Sequence, residues 1–159
     1  MNTKYIVLPA LILALAGCSN HDQSKLINKE ASLPSSFQFN KMGLKVINSS
    51  INKKKETMST LYGNDLALQS FKSNTPHTSG EVLALVTWKQ KEDEHWFGAK
   101  IPGPLLAVEL VKTANSGEKA NPEIGYERFE GSSLTLNKDT TGRSKSIAII
   151  FNQKPSILP

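Results

Sequence analysis

Few residues in this chain can do chemistry. There is one cysteine, Cys18, and there are three histidines, His21, His77 and His95. Cys18 follows Leu15-Ala16-Gly17, behind a positive Lys4 and an apolar run from Ile6 to Ala16 interrupted by Pro9. Small residues beside a scissile bond, with a cysteine just after it, make a lipobox. Residues 1–17 are therefore expected to be a signal peptide removed before Cys18, whose thiol is then acylated. The apolar run is about half of the ~20 residues that a membrane-spanning helix needs, so anchoring is expected through lipid rather than through a span. Acylation spends the sole thiol. The same count excludes a disulfide within the chain, a thiol nucleophile, a thiolate zinc site, an iron–sulfur cluster and a thioether-linked (c-type) haem.

His21 lies in a polar stretch and His77 in the turn "SNTPHTSG", and each reads as a solvated residue. His95 stands in "EDEHWFGAKIPG", after three carboxylates and before Trp96-Phe97. Two readings of it stay open. A neutral imidazole beside aromatic rings could be the axial ligand of a non-covalent haem, with Asp93 and Glu94 orienting it or raising its pKa. Alternatively, Trp96 and Phe97 plug the core while His95 closes the turn with a nitrogen in water. A His-rich catalytic or zinc cluster cannot be assembled from three histidines when one sits in a tether. A Gly-rich phosphate loop, the Gly-x-Ser-x-Gly elbow, His-Glu-x-x-His and an EF-hand loop are all missing.

These residues need a frame. Residues 18–36 are polar, carry few branched or aromatic side chains, and end in Pro34-Ser35-Ser36, as a flexible lipidated tether would. With Ser19 rather than an acid after Cys18, the expected address is the bacterial cell envelope, at the periplasmic face or outer membrane. Residues 37–159 then form one domain, since 142 of the 159 residues remain after cleavage. The formal charge of +5 falls to +4 without Lys4, and its only dense run is Lys53-Lys54-Lys55. So mild an excess describes a solvated surface and, in an exported chain, gives no case for nucleic acid.

Within the domain, "ETMSTLYG" reads as a strand with Met58, Thr60 and Tyr62 on one side, and Asn64 caps a short helix through Lys72. "GEVLALVTWKQK" is apolar on both faces, so it should be a central strand. The chain should break at Gly98 and at Pro102-Gly103-Pro104 before "LLAVELVKT", a strand with Leu106, Val108 and Leu110 opposed to Ala107, Glu109 and Val111. "YERFEG" and "SSLTLN" are further strands. "SKSIAIIFNQK" also alternates, at Ile147, Ile149 and Phe151, and is expected to be the last. The fold class is mainly β (α+β): an antiparallel sheet of about five or six strands packed on one or two short helices.

The ordered set "TMSTLYGNDLALQSF", "GEVLALVTWKQ", "HWFGAKIPG", "AVELVKT", "YERFEG" and "IIFNQKPSILP" resembles the cytochrome P-460 family of exported haem proteins and its cytochrome c-prime-beta relatives, over roughly residues 40–159. The resemblance implies a small antiparallel β protein, commonly a homodimer, with haem held against the sheet. Some members oxidise hydroxylamine and others bind nitric oxide or related gases. This chain lacks the family's Cys-x-x-Cys-His motif, so no residue inherits the proximal role, and neither Lys112 nor another lysine takes that of the haem-linked lysine. What the resemblance leaves is a scaffold and a pocket between sheet and helix, lined by Tyr62, Leu68, Phe71, Trp88 and Trp96. Three functions follow: a module binding a small ligand or non-covalent haem, a haem enzyme of nitrogen-oxide or peroxide chemistry, and a cofactor-free structural or interaction lipoprotein of the envelope.

Overall fold

The computed structural model describes residues 27–117 and 122–156. The expected signal peptide, the expected acylation site Cys18, His21 and the first part of the expected tether lie outside the described residues. Six strands form one antiparallel sheet in chain order: β1 (Lys45–Asn52), β2 (Thr57–Gly63), β3 (Val82–Glu92), β4 (Lys100–Ala114), β5 (Glu123–Glu130) and β6 (Thr135–Asn137). Two α-helices, α1 (Asp65–Ser73) and α2 (Arg143–Phe151), complete it. Among the described residues no helix is long and apolar enough to cross a membrane.

The central position of β3 follows from its composition. It pairs with β2 on one side and β4 on the other. Leu83 and Leu85 enter one core cluster with Leu61, Phe71, Val111 and Ile150. Ala84, Val86 and Trp88 enter a second, with Leu105, Val108 and Leu110, on the opposite face. A strand buried on both faces tolerates no regular polar position, hence the unbroken apolar run.

The first face is covered by the helices. Asn64 caps α1 as its sequence predicts: its side-chain oxygen accepts the Ala67 amide at 3.0 Å, and its amide nitrogen donates to the Gly80 carbonyl at 2.8 Å. Residues 143–151 correct the sequence reading, for they form α2 and not a strand. Period-two alternation and helical spacing coincide over so short an apolar run. The deciding residue is Ile150, which is fully buried, whereas Ile149 is 51% exposed. Ile147, Ile150 and Phe151, at helical spacings of three and four, pack on the first cluster.

The second face is covered by the N-terminal segment, from inside the stretch expected to be a free tether. The Trp88 indole donates to the Ala31 carbonyl at 2.8 Å, and the Leu105 amide donates to the Glu30 carbonyl at 3.1 Å. Leu33, Phe37 and Phe39 pack on the same cluster, Phe37 edge-on to Phe129 at 5.1 Å and Phe39 edge-on to Tyr62 at 5.0 Å. Phe37 and Phe39 lie in two 3-10 turns, Ser35–Phe37 and Phe39–Met42, rather than in an extended run.

β4 runs through Pro102-Gly103-Pro104 without a break, but its register with β3 shifts twice, between Thr87 and Trp88 and between Trp88 and Gln90. Thr87 pairs with Ala107 and the next residue, Trp88, pairs with Leu105, so Leu106 is the extra residue and its neighbours change phase. Leu105, not Leu106, therefore enters the core. A Cβ on Gly103 would stand 3.0 Å from the Lys91 Cβ and 3.2 Å from the Lys89 carbonyl, which is why glycine serves at this close approach.

Candidate functional site

Among the described residues, two cavities and a buried polar cluster stand out as places for chemistry. The larger cavity, about 520 Å³, is a crease among Leu33–Lys41, and Lys41 is its only charged residue. The other, about 380 Å³, lies on the helix side of the sheet and draws on β1 to β5, on α2 and on Gln153 beyond it. Ten of its fourteen lining residues are polar, which sets the chemistry it can take.

Its floor is built by strand register. Glu109 of β4 pairs with Arg128 of β5 and with Leu85 of β3, so a carboxylate and a guanidinium are neighbours on the sheet. Glu109 is only 6% exposed. Its Oε1 accepts the Tyr126 hydroxyl at 2.5 Å and lies 3.2 Å from Arg128 Nη1. Arg128 Nε also donates to Glu130 Oε1 at 2.6 Å. Burial pushes the Tyr126 phenol up, and the bond to Glu109 pushes it further, because that bond holds the proton. Burial works against the Arg128 charge, but Glu130 and Glu109 outweigh it and hold the guanidinium above its usual value. Ser59 and Thr87 hydroxyls, 3.0 Å apart, continue the polar floor.

The buried cluster lies on the same face beyond α1. Glu81, 1% exposed, precedes β3 and receives the Ser70 hydroxyl at 2.6 Å and the Thr78 amide at 2.8 Å. Its own amide donates to Thr113 Oγ1 at 2.9 Å. His77 Nδ1 is 2.6 Å from Glu81 Oε2, so the expected solvated turn histidine is instead largely buried. Its ring stacks on Phe151 and meets Phe71 edge-on, with centroids 4.1 and 5.1 Å away. A carboxylate on one imidazole nitrogen is the arrangement that orients metal-ligating histidines, yet His77 lines neither cavity.

The residues expected around one pocket are divided. Leu68 and Phe71 pack on the helix face, Tyr62 and Trp88 pack on the opposite face, and Trp96 is 72% exposed. None of the five lines either cavity. Trp96 and Phe97 do not plug the core either; with His95 they sit exposed on the β3–β4 turn. Sequence reading passed over Glu109, Arg128 and Glu81. The available signal was an acid inside an apolar strand, in phase with Ala107 and Val111, and a "YERF" strand able to answer it.

A sequence profile of the cytochrome P460 family matches residues 39–146, and the chain belongs to that family. None of the curated proteins compared with it matches. The family is one of haem proteins, so the fit of haem can be tested on this chain's own groups. Haem iron is held by His, Cys, Met or Tyr, and none of these lines either cavity. Among the described residues no buried side-chain nitrogen or oxygen lacks a hydrogen-bond partner. Nor do any three His, Cys, Asp or Glu residues there converge as a metal site. The single cysteine is consistent with the absence of covalent haem. The described cavities therefore do not fit the family's cofactor.

Proposed function

We propose that this protein is an exported, lipid-anchored member of the cytochrome P460 family that dispenses with haem and binds a small polar ligand in the cavity between sheet and α2. The observation that carries the reading is the Glu109–Arg128 pair in the cavity lining, with Glu109 held from outside that lining by the Tyr126 hydroxyl. A buried carboxylate paired with a partly exposed guanidinium, fixed by strand register and flanked by hydroxyls of Ser59 and Thr87, presents donors and acceptors at once. Such a lining suits a ligand with several hydrogen-bonding groups and disfavours an apolar gas or a porphyrin face. Binding is favoured over turnover because Glu109, the one carboxylate in the lining, is engaged by both Tyr126 and Arg128. The lipobox at Cys18 supports the anchor and the envelope address.

Nuclear magnetic resonance of the chain from Cys18 onward tests the ligand. Hydroxylamine, nitrite, acetate and glucose are the separate probes. At least one is expected to shift the Ser59, Thr87 and Glu109 amides, with affinity falling about tenfold, the equivalent of ~1.4 kcal/mol, in Arg128→Ala. If no probe moves these amides, the reading fails. A hemin titration giving a shifted Soret band that His95→Ala removes would also overturn it, in favour of non-covalent haem on His95. For the anchor, Cys18→Ala is expected to release the expressed protein from the membrane fraction.

A further inference from the structure

The β3–β4 turn holds the most exposed large apolar side chains among the described residues, Trp96 at 72% and Phe97 at 109%. Such residues usually fold back or vary freely, but this turn is ordered. Asp93 Oδ1 accepts the amides of His95 at 2.8 Å and Trp96 at 3.3 Å, the Ala99 amide returns to the Trp96 carbonyl at 3.0 Å, and Asp93 N donates to the Ala99 carbonyl at 3.0 Å. Gly98, at φ +77°, supplies the left-handed residue that such a return needs. Two aromatic rings are thus fixed outward on a stiff two-stranded arm.

The segment leading to Cys18 leaves the fold at the base of the same arm. Asn28 Nδ2 donates to the Pro102 carbonyl at 2.6 Å, Lys91 lies 3.7 Å from Glu30, and Pro102 pairs with Gln90 across the arm. Eight residues lie between Cys18 and Ile27, so the nine steps reach at most about 32 Å at ~3.3–3.6 Å per residue. From Gln90 to Trp96 the arm rises no more than about 20 Å at ~3.3 Å per residue. A lipid on Cys18 and the tip can therefore meet the same membrane plane. At the tip Glu92 pairs with Lys100 and Glu94 with Lys91 at 3.4 Å, while Asp93 accepts the turn amides.

We propose that Trp96 and Phe97 form a second membrane contact, seated in the headgroup layer of a phospholipid bilayer once the lipid on Cys18 holds the protein there. Tryptophan favours that layer because its ring is apolar and its N–H polar. The paired charges make the contact one of apolar insertion rather than of attraction to anionic lipid. Dual acylation at Cys18 would make the attachment stable, and a second apolar contact fixes the orientation of the domain on the surface. The inference rests on the lipid-anchor reading for its biological setting.

The test replaces natural acylation with chemistry. The chain from Cys18 onward, which contains every described residue, is coupled through its sole thiol to a maleimide lipid in phosphatidylcholine vesicles. Trp88 is buried, so an environment-dependent change in fluorescence reports Trp96. The expected result is a blue shift on vesicle coupling, with quenching by lipids brominated on their acyl chains. Both effects should vanish in a Trp96→Ser, Phe97→Ser double variant whose melting temperature is unchanged. Equal quenching in wild type and double variant would overturn the proposal. So would a blue shift already present without lipid and lost on dilution, which would mean that a second copy covers the tip. Because the coupling is synthetic, failure of natural acylation, read from the Cys18→Ala fractionation, stays distinct from failure of the aromatic tip.

Discussion

His77 Nδ1 stands 2.6 Å from Glu81 Oε2 while the His77 ring stacks on Phe151, so one imidazole joins the turn before β3 to the last turn of α2. Burial alone would push the Glu81 carboxyl up. Hydrogen bonds from Ser70, Thr78 and His77, with the His77 charge, overcome this and hold it below its ordinary value of 4.5. A carboxylate depressed in the folded state stabilises the fold above its unfolded pKa, and that contribution is lost as pH falls through the folded value. Glu81→Gln is expected to cost about 1–3 kcal/mol at neutral pH. As pH falls through and below the ordinary value of 4.5, the wild type should lose stability more steeply than the variant, so that the two converge. Thermal unfolding followed by circular dichroism across that range measures it.

Ile150 and Ile149 discriminate helix from strand at the C-terminal end. Ile150→Ala should cost about 2–5 kcal/mol because its side chain is wholly enclosed. Ile149→Ala, on the exposed side, should stay within about 0.5 kcal/mol. Urea denaturation of the two variants gives the comparison. A strand with Ile147, Ile149 and Phe151 inward would reverse it.

Much of the fold was legible because burial writes itself into spacing. The double-sided run of β3, the Asn64 cap and the mainly β, antiparallel class follow from local pattern. Two errors have one cause each. The nine residues of α2 are too short for period two and period 3.6 to separate, and only the contact of Ile150 with a sheet far away in sequence decides between them. The bulge at Leu106 moves the apolar phase by one residue, which no alternation rule anticipates. The cavity was less legible still. Glu109 and Arg128 are 19 positions apart, and only the pairing of β4 with β5 makes them neighbours.

That pair invites a double-mutant cycle. Arg128→Met leaves the buried Glu109 carboxylate with Tyr126 alone and should cost about 1–3 kcal/mol, tempered by the partial exposure of the guanidinium. Replacing both partners, with Glu109→Leu added, should recover part of the loss, since no charge is then left without its partner. Chemical denaturation of the two singles and the double reads the coupling. Simple additivity would mean that the two side chains act independently.

Gly63, at the end of β2, is expected to accept no side chain. A Cβ there would fall 2.6 Å from Ile47 Cδ1, 3.0 Å from Ala67 Cβ and 3.1 Å from Leu83 Cδ2, all core atoms. Gly63→Ala should destabilise by about 1–3 kcal/mol through overpacking. Gly131→Ala, with nothing near its Cβ but a φ of +74°, should instead carry a backbone penalty of about 1–2 kcal/mol. Melting temperatures rank them, and pairing Gly63→Ala with Ile47→Val should relieve only the first.

Taking the two covers of the sheet from opposite ends of the polypeptide has a consequence for biogenesis. A nascent chain that has emerged only as far as Asn137 has all six strands and the first cover, but Leu61, Leu83, Leu85 and Val111 still await Ile150 and Phe151. Until the final helix arrives, the part of that greasy surface not under α1 faces water. Such half-closed sheets are the species that aggregate, so a holding chaperone would find its footing on this one side and lose it when α2 docks.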